Sequence, residues 1–346
     1  MVDTPPLNPL LKGYGNPVIT MAGMPVPRAR AAATRRTPAL IQGLRSGDTF
    51  AHLFTLLCAA SILVVTAALV YQLFINSALS RHKFGLHFLT ARVWDPVNEN
   101  FGALPFIYGT LVTSALALLI AVPMGVGAAI FLSELAPPRI SNAMTFVIEL
   151  LAAVPSVIYG LLGIFILVPF LRRYGEPFLK RILGFMPLFQ GPAYGVGMLA
   201  GGLVLAIMVV PFIISVSREV LMAVPVEQRE AALGLGATKW ESTWHVVVPY
   251  ARIGIMASIF LSLARALGET MAVTMVIGGT PAISASLFAP GYSIAAVIAD
   301  QFAEAAGDLY IQTLIELGLV LFVLTIVING LARVIIISTT KKGSGQ

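Results

Sequence analysis

Charged residues are scarce in this sequence, and their scarcity excludes an ordinary soluble protein. Only 11% of the 346 residues are Asp, Glu, Lys or Arg, whereas 58% are hydrophobic. Soluble domains carry roughly a quarter charged residues, so a chain this apolar is expected in a membrane. Cysteine is also nearly absent: a single residue, Cys58, excludes an internal disulfide.

Patterns typical of catalytic sites are missing as well. No G-x-x-x-x-G-K-[ST] motif occurs, and residues 234–239, GLGATK, have the wrong spacing to hold nucleotide phosphates. The four histidines are spread along the chain and predict neither a metal site nor a catalytic triad. The basic residues behind the net charge of +6 form no patch interleaved with aromatics, so nucleic acid is not the expected partner. We therefore predict a chain that is not an enzyme and holds no cofactor.

Long apolar runs fill most of the sequence and predict an all-α integral membrane protein. Each run reaches about 20 residues, enough for a helix to cross a bilayer. The six predicted spans are residues 52–75, 107–132, 143–170, 194–216, 253–277 and 309–336. They form one predicted domain, residues 51–338. Residues 1–50, rich in proline and arginine, are expected to be a disordered basic tail, and residues 339–346 a short C-terminal tail.

The distribution of basic residues predicts the orientation of these spans. With the N-terminal tail inside, fourteen Lys and Arg residues lie on the inner side of the spans and seven on the outer side. The richer side normally faces the cytoplasm, so both termini and the polar segment 218–250 are predicted to be cytoplasmic. Four of the seven outer residues crowd one predicted loop, residues 171–193.

Residues 230–249, EAALGLGATKWESTWHVVVP, form a polar island between two apolar runs. Pro225 can open a short helix, Gly234 and Gly236 can end it, and Thr238 can cap a second helix. The second helix carries Trp240 and Trp244 four residues apart. The segment is therefore predicted to be a helix-turn-helix; an amphipathic loop lying on the membrane is the alternative.

This island resembles the EAA loop of ABC-transporter permeases. Glu230, Ala231 and Ala232 stand in the family's spacing to Gly236 and Pro249, with valines in place of its Ile and Leu. The resemblance implies a type I (MetI-like) importer permease of six spans. It also implies that residues 218–250 form a coupling loop, in which these five residues contact a partner ATPase.

Several polar residues fall inside predicted spans, where lipid would not tolerate them. Arg265 and Glu269 lie four residues apart in the fifth span, and Ser258 and Ser262 continue the same predicted helical face. Polar residues at such depth normally face a bundle interior or a transport pathway. The third predicted span adds Glu149 and Ser156, and the sixth adds Gln312 and Glu316 on one face. These residues are the candidate substrate pathway, although Glu149 and Glu316 also suit helix packing or subunit contacts.

The chemistry of the fifth-span residues suits an oxyanion. A guanidinium remains charged and donates two parallel hydrogen bonds, so Arg265 can neutralise and orient a tetrahedral anion. Glu269 can hold Arg265 between substrates or accept the proton of a hydrogen phosphate, which sulfate lacks. A structural Arg265–Glu269 ion pair that clamps two helices is the alternative.

Three stretches narrow the resemblance to the PstC permease subunits of phosphate-specific Pst importers. They are residues 264–278, ARALGETMAVTMVIG, residues 152–160, AAVPSVIYG, and residues 315–330, IELGLVLFVLTIVING. The resemblance implies a bacterial or archaeal cell-membrane permease that works with a PstA-like permease, two PstB-like ATPases that hold ATP and Mg, and an external PstS-like phosphate-binding protein. A permease for sulfate, molybdate or phosphonate is the alternative. An ion-coupled secondary transporter and an intramembrane hydrolase fit less well, since neither needs a coupling loop.

Overall fold

Helices make up nearly all of the chain that the structure describes. The computed structural model describes residues 48–343, so almost all of the predicted N-terminal tail and the last three residues of the C-terminal tail lie outside the described residues. The helices are α1 Asp48–Asn76, α2 Ala78–Phe84, α3 His87–Thr90, α4 Leu104–Ile130, α5 Pro138–Ala152, α6 Ser156–Leu162, α7 Val168–Phe170, α8 Glu176–Leu183, α9 Met198–Met222, α10 Val226–Gly234, α11 Lys239–Ser242, α12 Val248–Leu267, α13 Met271–Ile277, α14 Ile294–Gln301 and α15 Asp308–Gly343.

Wider π-helical turns continue several of these helices. They are Phe131–Leu135 after α4, Gly163–Leu167 after α6, Leu171–Gly175 after α7 and Thr243–Val247 after α11. Such turns hold an extra residue and often occur at functional sites. The described chain also contains a short 3-10 turn, Pro187–Phe189.

The chain divides into two units, residues 1–63 and 64–346. The described part of the first unit is the beginning of α1, whose side chains from Phe50 to Leu63 are all exposed. The second unit contains the remaining helices and all of the packed core discussed below.

Six helical segments within residues 48–343 are long and apolar enough to cross a membrane, as predicted. They are Phe50–Asn76, Leu104–Leu135, Ser156–Leu183, Met198–Met222, Lys239–Leu267 and Asp308–Val334. The predicted third span, residues 143–170, is wrong as a single helix. The helix is interrupted at residues 153–155, where Pro155 adopts an extended backbone conformation before α6 begins.

This correction also moves a group of basic residues. Arg172, Arg173, Lys180 and Arg181 were expected in a surface loop, but all four lie within the helical segment Ser156–Leu183, in its last turns. Residues 76–105, between the first two spans, contain two short helices, α2 and α3.

Helix α9 forms the centre of the second unit. In the 18-residue apolar stretch of this helix, 67% of the residues are buried, a larger share than in any other of the six segments. Glycines allow the neighbouring helix α4 to approach closely: a Cβ added at Gly202 would lie 2.6 Å from Leu116, and one at Gly125 would lie 2.7 Å from Ile213. Small residues bring helices together in membranes in this way.

A two-stranded hairpin is the exception to the predicted all-helical class. Strand β1, Trp94–Asp95, pairs antiparallel with β2, Asn100–Phe101. The Asp95 carboxylate accepts hydrogen bonds from the backbone N–H groups of Val97 and Asn98, at 3.0 and 3.2 Å, and from the Asn98 side chain at 2.7 Å. These bonds from Asn98 and Val97 hold the pKa of Asp95 below its usual value.

An aromatic cluster joins this hairpin to α14 and α15. The Trp94 indole donates to Gln301 at 3.0 Å, and the Tyr310 hydroxyl donates to the same oxygen at 2.8 Å. Tyr292 donates to the Asp300 carboxylate. Burial first, and then this bond to Asp300, raise the pKa of Tyr292 well above its usual range.

Candidate functional site

The polar island forms the predicted helix-turn-helix. Helix α10 begins directly after Pro225 and ends at Gly234, and Gly236 follows with a φ of 91°, a left-handed conformation that favours glycine. A capping box then opens α11: the Thr238 hydroxyl accepts from the Glu241 N–H at 3.3 Å, and the Glu241 carboxylate accepts from the Thr238 N–H at 2.8 Å. Local residue chemistry therefore fixes both helices and the turn between them.

Four of the five predicted contact residues in this loop are available to a partner. Glu230, Ala231, Gly236 and Pro249 are exposed, and Ala232 is half-buried. The loop also exposes apolar side chains, which water does not favour: Leu235 at 91%, Trp240 at 56% and Trp244 at 43%. The two tryptophan rings meet edge to face with their centroids 5.5 Å apart. The segment thus presents a firm, partly apolar surface.

Arg229 fastens this loop to the spans. Its guanidinium donates to both carboxylate oxygens of Glu134, at 2.9 and 3.2 Å, in a bidentate ion pair. It also donates to the carbonyl of Val224 at 2.6 Å and to that of Leu221 at 2.7 Å. Glu134 lies in the π turn after α4, and Leu221 lies in the last turn of α9, so a single side chain joins α10 to two spans.

The fifth span is broken at the predicted anion site. Helix α12 ends at Leu267, Gly268 and Thr270 flank Glu269, and α13 begins at Met271. The expectation that Glu269 shares a helical face with Arg265 is therefore wrong, because the helix stops two residues before Glu269. The Glu269 carboxylate instead accepts a hydrogen bond from the Ala272 N–H at 3.2 Å, in the first turn of α13.

Arg265 remains without an acidic partner in the part of the chain that the structure describes. No ion pair within 4.0 Å joins it to Glu269 or to another carboxylate among residues 50–334, whose side chains the structure describes, so the helix clamp considered above is not seen there. Its guanidinium carbon lies 5.4 Å from the centre of the Phe212 ring on α9. Arg265 is exposed and Glu269 is half-buried. A cation held over a ring, with its donors unused, is suited to receive an anion.

Comparison with known proteins places this geometry in a family. Residues 121–338 match the family described as binding-protein-dependent transport system inner membrane component. A phosphate transport system permease protein PstC of Mesorhizobium japonicum is 47% identical over 314 residues, which cover 90% of this chain and 94% of the relative. The chain belongs to this permease family.

Other PstC relatives support the same grouping. The PstC protein of Haemophilus influenzae is 47% identical over 82% of this chain and 90% of its own length. A probable phosphate transport system permease protein PstC of Methanocaldococcus jannaschii is 36% identical over 83% of this chain and 92% of its own. The relatives are transport permeases, and the chain is a multi-pass membrane protein of the same permease family.

Two solved structures are also similar to this PstC-family chain. One is an inward-facing conformation of the MetNI methionine ABC transporter, with a TM-score of 0.48 and 16% identity over 71% of this chain and 99% of that chain. The other is an amino acid ABC transporter with histidines, with a TM-score of 0.45 and 21% identity over 67% of this chain and 90% of that chain.

The serines predicted to line the pathway of this permease are buried between two of its helices. Ser258 is 1% exposed and Ser262 is fully buried. The Ser258 hydroxyl lies 2.7 Å from that of Ser217 on α9, and Ser262 donates to the carbonyl of Ser258 at 2.7 Å. The bond between Ser258 and Ser217 ties α12 to α9, whereas the bond of Ser262 stays within α12. A role for the two serines in the substrate pathway stays a prediction.

The two candidate residues from the predicted third span of the permease lie on two different helices. Glu149 is exposed on α5, and that helix precedes the span; Ser156 is the half-buried first residue of α6. Their assignment to the pathway also stays a prediction. Among the described residues, no group of three or more His, Cys, Asp or Glu side chains is placed to hold a metal.

Sequence reasoning missed the residues that position α13 in this permease. A Cβ added at Gly160 would lie 2.6 Å from Met275 and 3.1 Å from Ala272, and one at Gly163 would lie 2.8 Å from Val276. The backbone of α6 and its π turn therefore lies directly against α13. The available signal was the spacing of these glycines, which puts two small residues on one helical face.

Proposed function

We propose that this chain is one permease subunit of an ABC importer that moves inorganic phosphate into the cytoplasm. The observation that carries the proposal is the 47% identity, over 90% of the chain, to a phosphate transport system permease. Arg265 supplies the matching chemistry, because an unpaired guanidinium can hold a tetrahedral oxyanion in a bidentate geometry.

The proposed complex contains a second, PstA-like permease, two PstB-like ATPases that bind ATP and Mg, and an external PstS-like phosphate-binding protein. Both termini and residues 218–250 lie in the cytoplasm of the proposed complex. The excess of basic residues on that side of the spans, fourteen against seven, supports this orientation. The ATPase, and not this chain, hydrolyses ATP.

Residues 218–250 couple the ATPase to the spans in this proposal. The exposed Leu235 and Trp240, together with Glu230, offer a surface for a cleft on the ATPase. When ATP closes the ATPase dimer, the loop moves as a rigid unit. The contacts of Arg229 to Glu134 and to the end of α9 then carry that movement into the second and fourth spans.

The fifth-span break receives the anion. Arg265 binds phosphate as it passes between this chain and the second permease, and Phe212 holds the guanidinium in place meanwhile. Glu269, whose carboxylate accepts from the Ala272 N–H at the start of α13, accepts the proton of hydrogen phosphate in this proposal, which selects against sulfate.

ATP-driven uptake of radiolabelled phosphate into vesicles containing the complete complex tests this function. The wild type should accumulate phosphate and should ignore excess unlabelled sulfate. Arg265→Gln should lose uptake while subunit assembly and ATPase activity survive, and Glu269→Gln should lose discrimination against sulfate. Phosphate uptake that persists in Arg265→Gln would remove Arg265 from the pathway, and unchanged discrimination against sulfate in Glu269→Gln would remove Glu269. Uptake of sulfate in preference to phosphate by the wild type would overturn the proposed substrate.

A further inference from the structure

A groove on the second unit has a polar end and a long apolar floor. It lies between α15 and the segment that contains α2 and α3, and it encloses a volume of about 490 Å³. Arg81 and Glu316 lie at the polar end. Leu319, Val323 and Val327 line the floor at four-residue spacing along one face of α15, so the floor is a continuous apolar stripe.

The arginine at the polar end retains unused donors. Arg81 donates through Nε to the Ser77 hydroxyl at 3.2 Å and through Nη2 to the Phe74 carbonyl, and its guanidinium carbon lies 3.6 Å from the centre of the Phe74 ring. These contacts fix the direction of the side chain. Within residues 48–343 no acceptor meets its Nη1 group and no carboxylate lies within ion-pair distance, so the charge is held in position and is not neutralised.

The carboxylate at the polar end also lacks a partner. Glu316 is only 6% exposed. Its oxygen Oε2 is buried with no hydrogen-bond partner in the described part of the chain. Arg81 lies at the same end of the groove but does not reach ion-pair distance of Glu316. A buried carboxylate oxygen without a donor is costly, and a ligand that brings a donor would satisfy it.

The height of the groove matches one leaflet of a bilayer. Helix α1 ends at Asn76, and directly after it the Leu79 N–H donates to Gln312 at 2.8 Å, which sets α2 level with the first turns of α15. Arg81, at the polar end, therefore lies just beyond the last residue of the first span, Asn76. From Glu316 to Val327, α15 extends for roughly 16 Å, about half the thickness of the hydrocarbon layer.

We propose that this groove binds a phospholipid with an ethanolamine headgroup. The phosphate accepts hydrogen bonds from the free donors of Arg81, and the primary ammonium donates to Oε2 of Glu316. One acyl chain lies along Leu319, Val323 and Val327. Unpaired opposite charges favour a zwitterionic headgroup, because phosphatidylglycerol would bring hydroxyl donors but no positive charge to Glu316. The proposal goes beyond the transport function and does not depend on the substrate.

Native mass spectrometry of the intact transporter complex tests the site. The complex is exchanged into vesicles that contain equal amounts of phosphatidylethanolamine, phosphatidylcholine and phosphatidylglycerol, and the lipids it retains are counted. Wild type should retain the ethanolamine lipid roughly tenfold more than the choline lipid, whose quaternary nitrogen has no N–H to donate. Equal retention of the two lipids would overturn the proposal.

Conservative variants separate the two ends of the headgroup. Glu316→Gln keeps the size of the side chain and one oxygen but loses the attraction for ammonium, so it should abolish the preference for ethanolamine over choline. Arg81→Gln should lower the retention of all three phospholipids by roughly tenfold. Wild-type selectivity in both variants would show that the bound lipid lies elsewhere.

A change in the floor of the groove provides a test that leaves the charges in place. Val323→Phe should fill the path of the acyl chain and reduce retention of the ethanolamine lipid. The matched control is Ile326→Phe on the same helix: the two positions are 52% and 55% exposed, and Ile326 does not line the groove. Unchanged lipid retention in Val323→Phe would make the proposal wrong. If that variant also dissociated the complex while Ile326→Phe did not, the groove would be a surface for the partner permease.

Discussion

Two arginines of this chain each have a glutamate with which they could form an ion pair, and the surroundings of the two arginines differ. Arg229 and Glu134 are 95 residues apart in the sequence, yet they form a bidentate ion pair. Arg265 and Glu269 are four residues apart, and within residues 48–343 they form none. The difference arises from the backbone, since a π turn brings Glu134 to the loop, whereas the helix ends between Arg265 and Glu269.

The two environments suit opposite tasks. Arg229 spends its donors on a carboxylate and two helix-end carbonyls, so its position is fixed and it can transmit movement. Arg265 is exposed and contacts a ring, so its donors remain free for a ligand that comes and goes. In the proposed function, Arg229, each of whose guanidinium nitrogens donates a hydrogen bond, is a joint that transmits movement from the loop to the spans. Arg265, whose donors are free among the described residues, binds the anion. Four predictions test this contrast.

Loss of the joint should have the largest effect. Arg229→Ala leaves Glu134, whose side chain is only 10% exposed, without its partner, and we expect a loss of about 3–5 kcal/mol in stability. Thermal unfolding of the purified complex measures it. Arg139→Ala, which removes an exposed arginine of the described chain, is the matched control and should change little. Exchange of the two charges, Arg229→Glu with Glu134→Arg, should recover part of the loss. Equal effects of Arg229→Ala and Arg139→Ala would show that the pair is not a joint.

Arg265→Lys should have the next largest effect, on transport alone. Lysine keeps the charge but loses the planar fork, so phosphate uptake should fall on the order of tenfold, less than for Arg265→Gln. The KM for phosphate, measured with the complete complex and its binding protein, should rise while the melting temperature stays constant. A fall in melting temperature with unchanged uptake would indicate that Arg265 serves only to pack against Phe212.

Glu269 should contribute a smaller amount to stability. Glu269→Ala removes the acceptor for the Ala272 N–H at the start of α13 and should cost about 1 kcal/mol, as other helix caps do. Glu269→Gln retains an oxygen and should cost less. Thermal unfolding of both variants makes the comparison. Equal losses would mean that the negative charge, and not the hydrogen bond, stabilises the break.

The exposed pair Lys83–Glu99 should have the smallest effect. Its atoms lie 3.0 Å apart, but the two side chains are 44% and 60% exposed, so the coupling should be about 0–1 kcal/mol. A double-mutant cycle with Lys83→Ala and Glu99→Ala, repeated at high salt, measures it. A coupling as large as that of Arg229 and Glu134 would remove burial as the explanation of the contrast.

Features that depend on neighbouring residues were predictable from the sequence. The spacing of Thr238 and Glu241 and the position of Pro225 determine the helix-turn-helix, because each capping bond spans only a few residues. Composition and run length predicted the six spans, because both are properties of neighbouring residues along the chain. The coupling of Arg229 to Glu134 was not predictable, since nothing near either residue indicates a partner on another helix.

Breaks inside apolar runs were the other source of error. Pro155 and Gly268 stand at the two breaks, but both lie among residues hydrophobic enough to continue a span, so run length alone predicted a continuous helix. A glycine such as Gly268 can lie inside a helix, and whether the helix continues through it depends on packing against other helices. The role of Glu269 followed from that choice and could not be settled before it.

The π turn at Thr243–Val247 sets the rotational phase between the loop and the fifth span. A helix advances by about 100° per residue, and a π turn accommodates one more residue than an α turn, so it shifts everything that follows around the axis. The direction of Arg265 relative to the tryptophans of the loop is therefore encoded by that single extra residue. If the same residues formed an α turn instead, Arg265 would be turned by about 100° without a change in any group that binds or pairs.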